Sequence, residues 1–461
     1  MESQKYSDFF GVPLTDLDRD VTSIIDWEQE RQSRRFILIP SESMAPLAVR
    51  QALGSVLNNI YAEGYPPARM SREDEELILD QAHQMTHYRR YSDRRFYKGT
   101  EYANVIESLA QCRCAECFAT KDVPAEAIRV NVQPLSGAAA NLAVYSTLLR
   151  PGDTLMGMNL FQGGHLTHGS EFNLSGKLYK VVSYNVDRTT ERLNYDAIRA
   201  LALESRPKII VAGYTSYPWA PDWARFRAIA DEAGALLMAD IAHTAGMAIA
   251  GVYPSPIGYA DVITFTTHKT ICSTRGAVIM ATDDDLAKTI DAAVFPGEQG
   301  GPHVNKFAAL AVALGLAKTP AFHQLQRNIV ANAQALAASL TRRGLKLAYG
   351  GTDTHMVLVN LRSIPSKTGF PLRGEIAARL LDLAGIVVNK QTIPGDEVTA
   401  LASGIRLGTP WVTQRGLTAE YLDELADIIF RVITNIHPFA YMGATELPRG
   451  KIDLQVLEQA R

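Results

Sequence analysis

Cysteine is scarce, with four in 461 residues; a disulfide framework is excluded, and the thiols are expected to be reduced. No cationic surplus exists either: 46 lysines and arginines face 49 aspartates and glutamates, a formal net charge of −3, which disfavours general nucleic-acid binding. Long apolar runs are missing. The longest, Phe307 to Ala317, has 11 residues, where a bilayer span takes roughly 20. The start, Met1 to Pro13, is polar and acidic and lacks the basic, apolar and small-residue regions of an export signal, so a cytoplasmic location is expected. Glycine (33) and proline (22) stand at ordinary globular levels, neither collagenous nor disordered. No internal repeat or low-complexity tract is visible. What is present is enough chain for roughly two to three compact units with a substantial core.

From about residue 129 to 282, short β-branched runs alternate with helical segments. The runs are Val130-Val132, Thr154-Met158, Leu178-Val182, Ile209-Ala212, Leu236-Ala239, Val262-Phe265 and Ala277-Ala281. Between them, Asn141-Leu149, Tyr195-Leu203 and Trp223-Ala233 carry apolar residues at three-to-four spacing, as crossover helices over a parallel α/β sheet do. The last third changes character: a long helix from about Phe322 to Arg343, then Met356-Leu361, a helix around Glu375-Leu383, Ile386-Val388 and a final helical region predict a smaller α+β domain. The helix Val304 to Ala317 bridges the two. The division expected is an N-terminal arm (1–60), a large domain (61–318) and a small domain (319–461).

Residues 67–93 read as a helical insertion, with Ser71 able to cap, Asp74 three further on, acids early and Arg89-Arg90 late, an order that suits the helix macrodipole. It serves as an interface, a lid, or simply a solvated surface helix. Cys112, Cys114 and Cys117 invite a metal reading, but they fall at near-helical spacing among Val105, Ile106, Leu109, Ala115 and Phe118. No histidine or second CxxC completes a tetrahedral site, so no metal is expected.

In open parallel sheets ligands collect beyond the carboxyl ends of strands. Asp240 and His243 follow the run Leu236-Ala239, and Thr266-Thr267-His268-Lys269 follows Val262-Phe265. A strand-end carboxylate and a strand-end lysine are what pyridoxal 5'-phosphate (PLP) needs, the lysine to hold its aldehyde and the acid to keep its pyridine nitrogen protonated. On spacing alone, a structural ion pair is the commoner use of such a pair. Ser136-Gly137-Ala138 resembles a strand-to-helix turn whose amides can meet a phosphate. Gly163-Gly164-His165 allows close backbone approach, so that His165 can lie over a flat ring or be an ordinary loop residue. Arg406 can clamp a carboxylate through its planar fork, or join two domains by a salt bridge.

Several segments together resemble one family. IPSES (39–43), YAEGYP (61–66), RRFYKGTEY (94–102), GGHLTHGS (163–170), ADIAH (239–243), TTHKT (266–270), FPGEQGGP (295–302) and SGIRLGTP (403–410) are similar to serine hydroxymethyltransferases, PLP enzymes of the aspartate-aminotransferase fold, over almost the whole chain. The resemblance implies that Lys269 carries the cofactor, Asp240 holds the ring nitrogen, His165 stacks on the ring and His243 reaches its phenolic oxygen. Ser136, Gly137 and Thr266 would lie near the phosphate, with Gly300 and Gly301 supplied by a second subunit, and Thr215 close to the cofactor. Arg406 and Ser41 would hold the substrate carboxylate. Glu63 and Tyr61, also from the partner, would manage protons and the hydroxymethyl group, Tyr97 would assist exchange of amines, and His268 would tune reaction specificity. Leu160, Gly164, His165 and Leu166 match positions near the pteridine and aminobenzoate of tetrahydrofolate. A homodimer with shared sites follows, with tetramers left open.

The sequence also departs from that pattern. Its phosphate turn reads SGAAAN (136–141) where the family usually has SGSQAN, so Ala138 and Ala139 lack polar side chains. Phe96-Tyr97 stands for a paired tyrosine. Gln391 replaces an asparagine, and residues 396–400 replace a Ser-Pro-Phe stretch, at positions that normally face the folate. Interconversion of serine and glycine with tetrahydrofolate as acceptor is the leading expectation. A folate-independent β-hydroxy amino acid aldolase or transaldolase is the related alternative, and a non-catalytic scaffold is the reading from another class.

Overall fold

The computed structural model describes residues 10–91, 94–366, 368–439 and 449–461. Asp18 starts the first long helix, Arg19–Arg34, by accepting a hydrogen bond from the Val21 amide at 3.0 Å, which satisfies one of the amides a helix start leaves free. The short strand β1 (Phe36–Ile37) follows and pairs in parallel with a strand from the last third of the chain, Phe36 opposite Ile386 and Ile37 opposite Val387.

The runs between residues 129 and 281 form a seven-stranded sheet: β2 (Arg129–Asn131), β3 (Thr154–Met158), β4 (Lys180–Tyr184), β5 (Ile209–Ala212), β6 (Leu236–Asp240), β7 (Val262–Thr266) and β8 (Ala277–Ala281). Their order is β2-β8-β7-β6-β5-β3-β4. Strands β3 to β7 are parallel, because helices such as Tyr195–Ser205 and Trp223–Ala233 carry the chain back over the sheet between them. Asn194 and Asp222 cap those two helices, and Gly234 ends the second in a left-handed conformation. Strand β8 runs antiparallel to both its neighbours, β7 and β2, so the sheet is mainly parallel, as expected, with one reversed strand next to the edge strand β2. The residues of β5, β7 and β8 are all buried, as strands covered on both faces should be. The run expected to begin at Leu178 begins at Lys180, because Asn173 caps a short helix that occupies Leu174–Leu178.

The last third builds a three-stranded antiparallel sheet from β9 (Met356–Asn360), β11 (Asn389–Gln391) and β12 (Gly404–Gly408), with β10 (Ile386–Val387) alongside β1. Helices Pro320–Arg342, Gly374–Leu383 and Ala419–Thr434 share a second core with it through Leu336, Leu340, Val357, Leu380, Leu407 and Ile429. Leu38 belongs to this second core and Val49 to the first, so the N-terminal segment is tied to both units.

The insertion is helical in two pieces, Glu75–Leu79 and Gln81–Arg90, capped by Asp74 and Asp80. Ser71 does not cap; its hydroxyl donates to the Ala68 carbonyl within a 3₁₀ turn. Residues 92 and 93 lie outside the described residues. Glu75 binds the Arg113 guanidinium and the Lys318 ammonium, which fixes the insertion against the helices Glu101–Phe118 and Val304–Ala317. Cys112, Cys114 and Cys117 lie on the first of these; burial pushes the Cys112 and Cys117 thiols up to about 12, and Cys114 is buried against Met280.

Candidate active site

Asp240 ends β6 and is buried at the carboxyl edge of the parallel strands. Its Oδ2 accepts hydrogen bonds from Asn141 Nδ2 at 2.8 Å and from His168 Nε2 at 2.9 Å, and Oδ1 accepts from the Ala242 amide at 3.1 Å. Burial alone would push this carboxyl up, yet the His168 hydrogen bond and charge, with His165 and Asn141, hold it well below its ordinary value. Asn141 is itself locked by Thr167 and Thr264, at 2.8 and 2.7 Å. Sequence reasoning missed Asn141 and His168, although the first closes the segment SGAAAN and the second sits three residues beyond His165.

Lys269 lies in the turn beyond β7, is buried, and its ammonium makes no hydrogen bond or ion pair among the described residues. Burial lowers its pKa from 10.5 to about 8, with Asp240 opposing the fall and the charges of Arg406 and Arg275 aiding it. His165 Nδ1 lies 2.7 Å from Thr167 Oγ1, and burial brings this imidazole down to about 4. His243 is buried with its Nδ1 3.2 Å from Nε2 of His355, and the two rings are stacked. His355, another residue missed from the sequence, is pushed down to about 3 by burial and by the charges of Arg406 and Lys269. His268, next to Lys269, falls to about 3 through burial and the charges of Lys269 and Arg275.

Arg406 extends from β12, buried, and donates through Nη1 to the Thr215 carbonyl at 2.5 Å and through Nε to Asn389 Oδ1 at 3.2 Å. Thr215 in turn donates its amide to the Gly163 carbonyl at 2.8 Å, so the Gly163-Gly164-His165 loop and the arginine share one support. Gly163 has φ +119°, and a Cβ at Gly164 would lie 2.0 Å from the Met158 carbonyl oxygen; this loop lies tight on β3, with Leu160 half-buried and Leu166 exposed beside it. Ser41 follows Pro40, which packs against Gly408 at the end of β12. Ser136 caps the helix Gly137–Leu148 by accepting from the Ala139 amide at 3.3 Å. A Cβ at Gly137 would lie 2.7 Å from Thr266 Cγ2, so a helix N-terminus with open amides faces the end of β7.

A second cluster stands apart. Tyr61 donates to Glu63 Oε1 at 3.3 Å, its ring lies 4.8 Å from that of Tyr97, and Gly300 and Gly301 are so close that a Cβ would meet Glu63 at 3.2 Å and the Tyr61 ring at 2.9 Å. Tyr61 and Tyr97 are exposed. Arg95, buried in an ion pair with Glu107, donates to the carbonyls of Ala62 and Gly64 on either side of Glu63. Among the described residues no hydrogen bond, ion pair or ring contact joins this cluster to Lys269, Asp240 or His165.

The residues of the first cluster fit PLP. An ionised, buried carboxylate suits a protonated pyridine nitrogen, an unpaired amine suits an aldehyde, and the Ser136-Gly137 turn offers amides to a phosphate. Fold and site together define a PLP-dependent enzyme of fold type I. The family model for serine hydroxymethyltransferase matches residues 14–92 and 75–429, two stretches that overlap inside the insertion. Relatives named serine hydroxymethyltransferase from Prochlorococcus marinus strains MIT 9303 and MIT 9313 are 46% identical over 417 residues, covering 90% of this chain and 89% and 88% of theirs. One from Synechococcus sp. (strain JA-3-3Ab) is 46% identical over 423 residues, 90% of each chain. The chain belongs to the serine hydroxymethyltransferase family. Nothing in these comparisons favours the folate-independent aldolase.

Proposed function

We propose that each site of this PLP-dependent hydroxymethyltransferase, which interconverts L-serine and glycine and passes the one-carbon unit to tetrahydrofolate, is built from two protomers. One gives Lys269, Asp240, His165, His243, Thr215, Thr266, Ser136, Gly137, Ser41 and Arg406; the other gives Tyr61, Glu63, Tyr97, Gly300 and Gly301. The observation that supports this reading is that among the described residues no hydrogen bond, ion pair or ring contact joins Tyr61, Glu63 or Tyr97 to Lys269, Asp240 or His165, while Tyr61 and Tyr97 are exposed. A homodimer is the smallest assembly that satisfies it. The large unit 61–318 and the small unit 319–461 would each supply one wall. A cytoplasmic location belongs to the same proposal; no helix among the described residues is long and apolar enough to cross a membrane.

When bound, PLP supplies a protonated pyridine that takes up the electron pair released as the serine Cα–Cβ bond breaks. Asp240, kept ionised by His168 and Asn141, holds the proton at the pyridine nitrogen. Lys269, with an amine partly neutral near pH 8, would hold the aldehyde of the cofactor. Arg406 has Nη2 without a partner among the described residues and, with Ser41, binds the substrate carboxylate. His165, uncharged at neutral pH, would lie over the ring. Glu63 moves the proton of the serine hydroxyl, and Tyr61 orients it by donating to Oε1. Leu160, Gly164 and Leu166 border the place for the folate, and His268 lies close enough to Lys269 to affect reaction specificity.

The test mixes inactive Lys269→Ala and Glu63→Gln proteins under conditions that exchange subunits. Half the dimers become hybrids with one intact site of two, so activity should recover to about one quarter of wild type. Verified hybrids without activity would overturn the shared-site reading.

A further inference from the structure

The helix Val304–Ala317 carries one charged residue, Lys306. It is 4% exposed, and its Nζ donates to the carbonyl oxygens of Gln133 at 3.0 Å and Pro134 at 2.8 Å. Its alkyl chain passes Gly276, where a Cβ would lie 2.8 Å from Lys306 Cδ. No carboxylate among the described residues pairs with it. The nearby acid Glu107 already binds Arg95 and Gln133. A buried cation without a counter-ion is costly, and burial lowers this amine to about 7 against the pull of Glu107. None of the residue roles in the proposed reaction involves it.

The two carbonyls that Lys306 holds lie three and two residues before Ser136. The same turn is also gripped by Gln299, whose Oε1 accepts from the Leu135 amide at 2.9 Å and whose Nε2 donates to the Gln133 carbonyl at 3.2 Å. Gln299 immediately precedes Gly300 and Gly301, and Lys306 stands in the first turn of the helix that follows them. Lys306 and Gln299 therefore fasten the turn ahead of Ser136-Gly137 to the segment of Gly300-Gly301, which in the proposed dimer serves the partner's site. That turn also carries Ala138 and Ala139, with no side chain able to hold an anion.

We propose that Lys306 is a positioning residue for the cofactor phosphate: it sets the Gln133–Ser136 turn and contributes the buried positive charge that the phosphate group compensates. This rests on Ser136 and Gly137 being the phosphate turn. The experiment measures dissociation constants of PLP and of pyridoxal, which lacks the phosphate, on cofactor-stripped full-length protein, together with its thermal unfolding. In Lys306→Met, PLP affinity should fall about tenfold or more, pyridoxal affinity should change less than about twofold, and the cofactor-free protein should unfold no earlier than wild type, since a buried charge has been removed. Lys306→Gln, which keeps a donor and loses the charge, should shift the PLP-to-pyridoxal ratio in the same direction. Equal losses for both ligands, unchanged PLP affinity, or failure of both variants to fold would overturn the proposal. Wild-type protein that binds pyridoxal as tightly as PLP would instead overturn the phosphate turn itself.

Discussion

His168 Nε2 lies 2.9 Å from Asp240 Oδ2, both side chains are buried, and no other ring nitrogen touches this carboxylate among the described residues. The pair fixes the charge at the far edge of the cofactor site. An ionised Asp240 adds stability that is full above about pH 4 and is lost as pH falls through the ordinary 3.8 toward the depressed value. His168→Ala should therefore cost about 1–3 kcal/mol at pH 7 and less near pH 3, read by urea unfolding at the two values. PLP-dependent turnover should fall with it, because an acid that protonates more readily holds the pyridine proton less well.

Lys269 is shifted in the opposite sense of stability. Its ammonium is disfavoured in the fold, so cofactor-free protein carries a penalty that is full below about pH 8 and disappears as pH rises to 10.5. Cofactor-free Lys269→Met should be more stable than wild type at pH 7 by about 1–3 kcal/mol, with the gap closing near pH 10.5. The rate at which wild type captures PLP should rise with pH and level off above 8, since the neutral amine is the attacking form.

Asp240 and Lys269 were legible in the sequence because each comes just after a short apolar run, which places it at or beyond a strand end without any tertiary knowledge. The support of Asp240 was not, since Asn141 and His168 reach it from a helix and a loop far away along the chain, and only folding brings them within hydrogen-bond distance. The reversal of β8 had a local signal: the link from Thr267 to Gly276 contains no crossover helix, and a parallel return needs roughly a dozen residues or more. In the insertion, Asp74 outcompeted Ser71 as the cap because its carboxylate also meets the positive helix end. Hydrophobic periodicity located the helices Trp223–Ala233 and Val304–Ala317 to the residue, yet says nothing of which buried lysine faces which carbonyl.

Gly213, just past β5, has φ +135°, and a Cβ there would lie 1.9 Å from the Asp240 carbonyl oxygen. The neighbour is backbone at the end of β6 and cannot swing aside as a side chain would. Gly213→Ala combines a strained conformation with displacement of Asp240, and should cost about 3 kcal/mol or more. Thermal unfolding should show the loss, and PLP should dissociate faster from any protein that folds. Gly234→Ala, also at positive φ (+69°) but with open space around it, is the matched control and should cost about 1 kcal/mol without affecting PLP.

Asp396 opens the stretch that differs from the family at the folate positions, and the structure gives it a definite task. Its Oδ2 accepts from the amides of Ile393 at 3.0 Å and Ser403 at 2.8 Å, and its Oδ1 pairs with Arg362 at 2.6 Å. One carboxylate thus closes the loop between β11 and β12, while Glu397, Val398, Thr399 and Ala400 stand exposed on it. Gln391 lies at its start, its side-chain amide donating to Thr392 Oγ1 at 3.3 Å. Asp396→Ala strips two amides and a guanidinium of their acceptor and should loosen the loop at a cost of about 1–3 kcal/mol. If this loop borders tetrahydrofolate, its KM should rise several-fold while the KM for serine, held by Arg406 on the neighbouring strand, changes little. Serine cleavage measured across a tetrahydrofolate titration separates the two effects, and equal rises in both KM values would place the loop away from the folate.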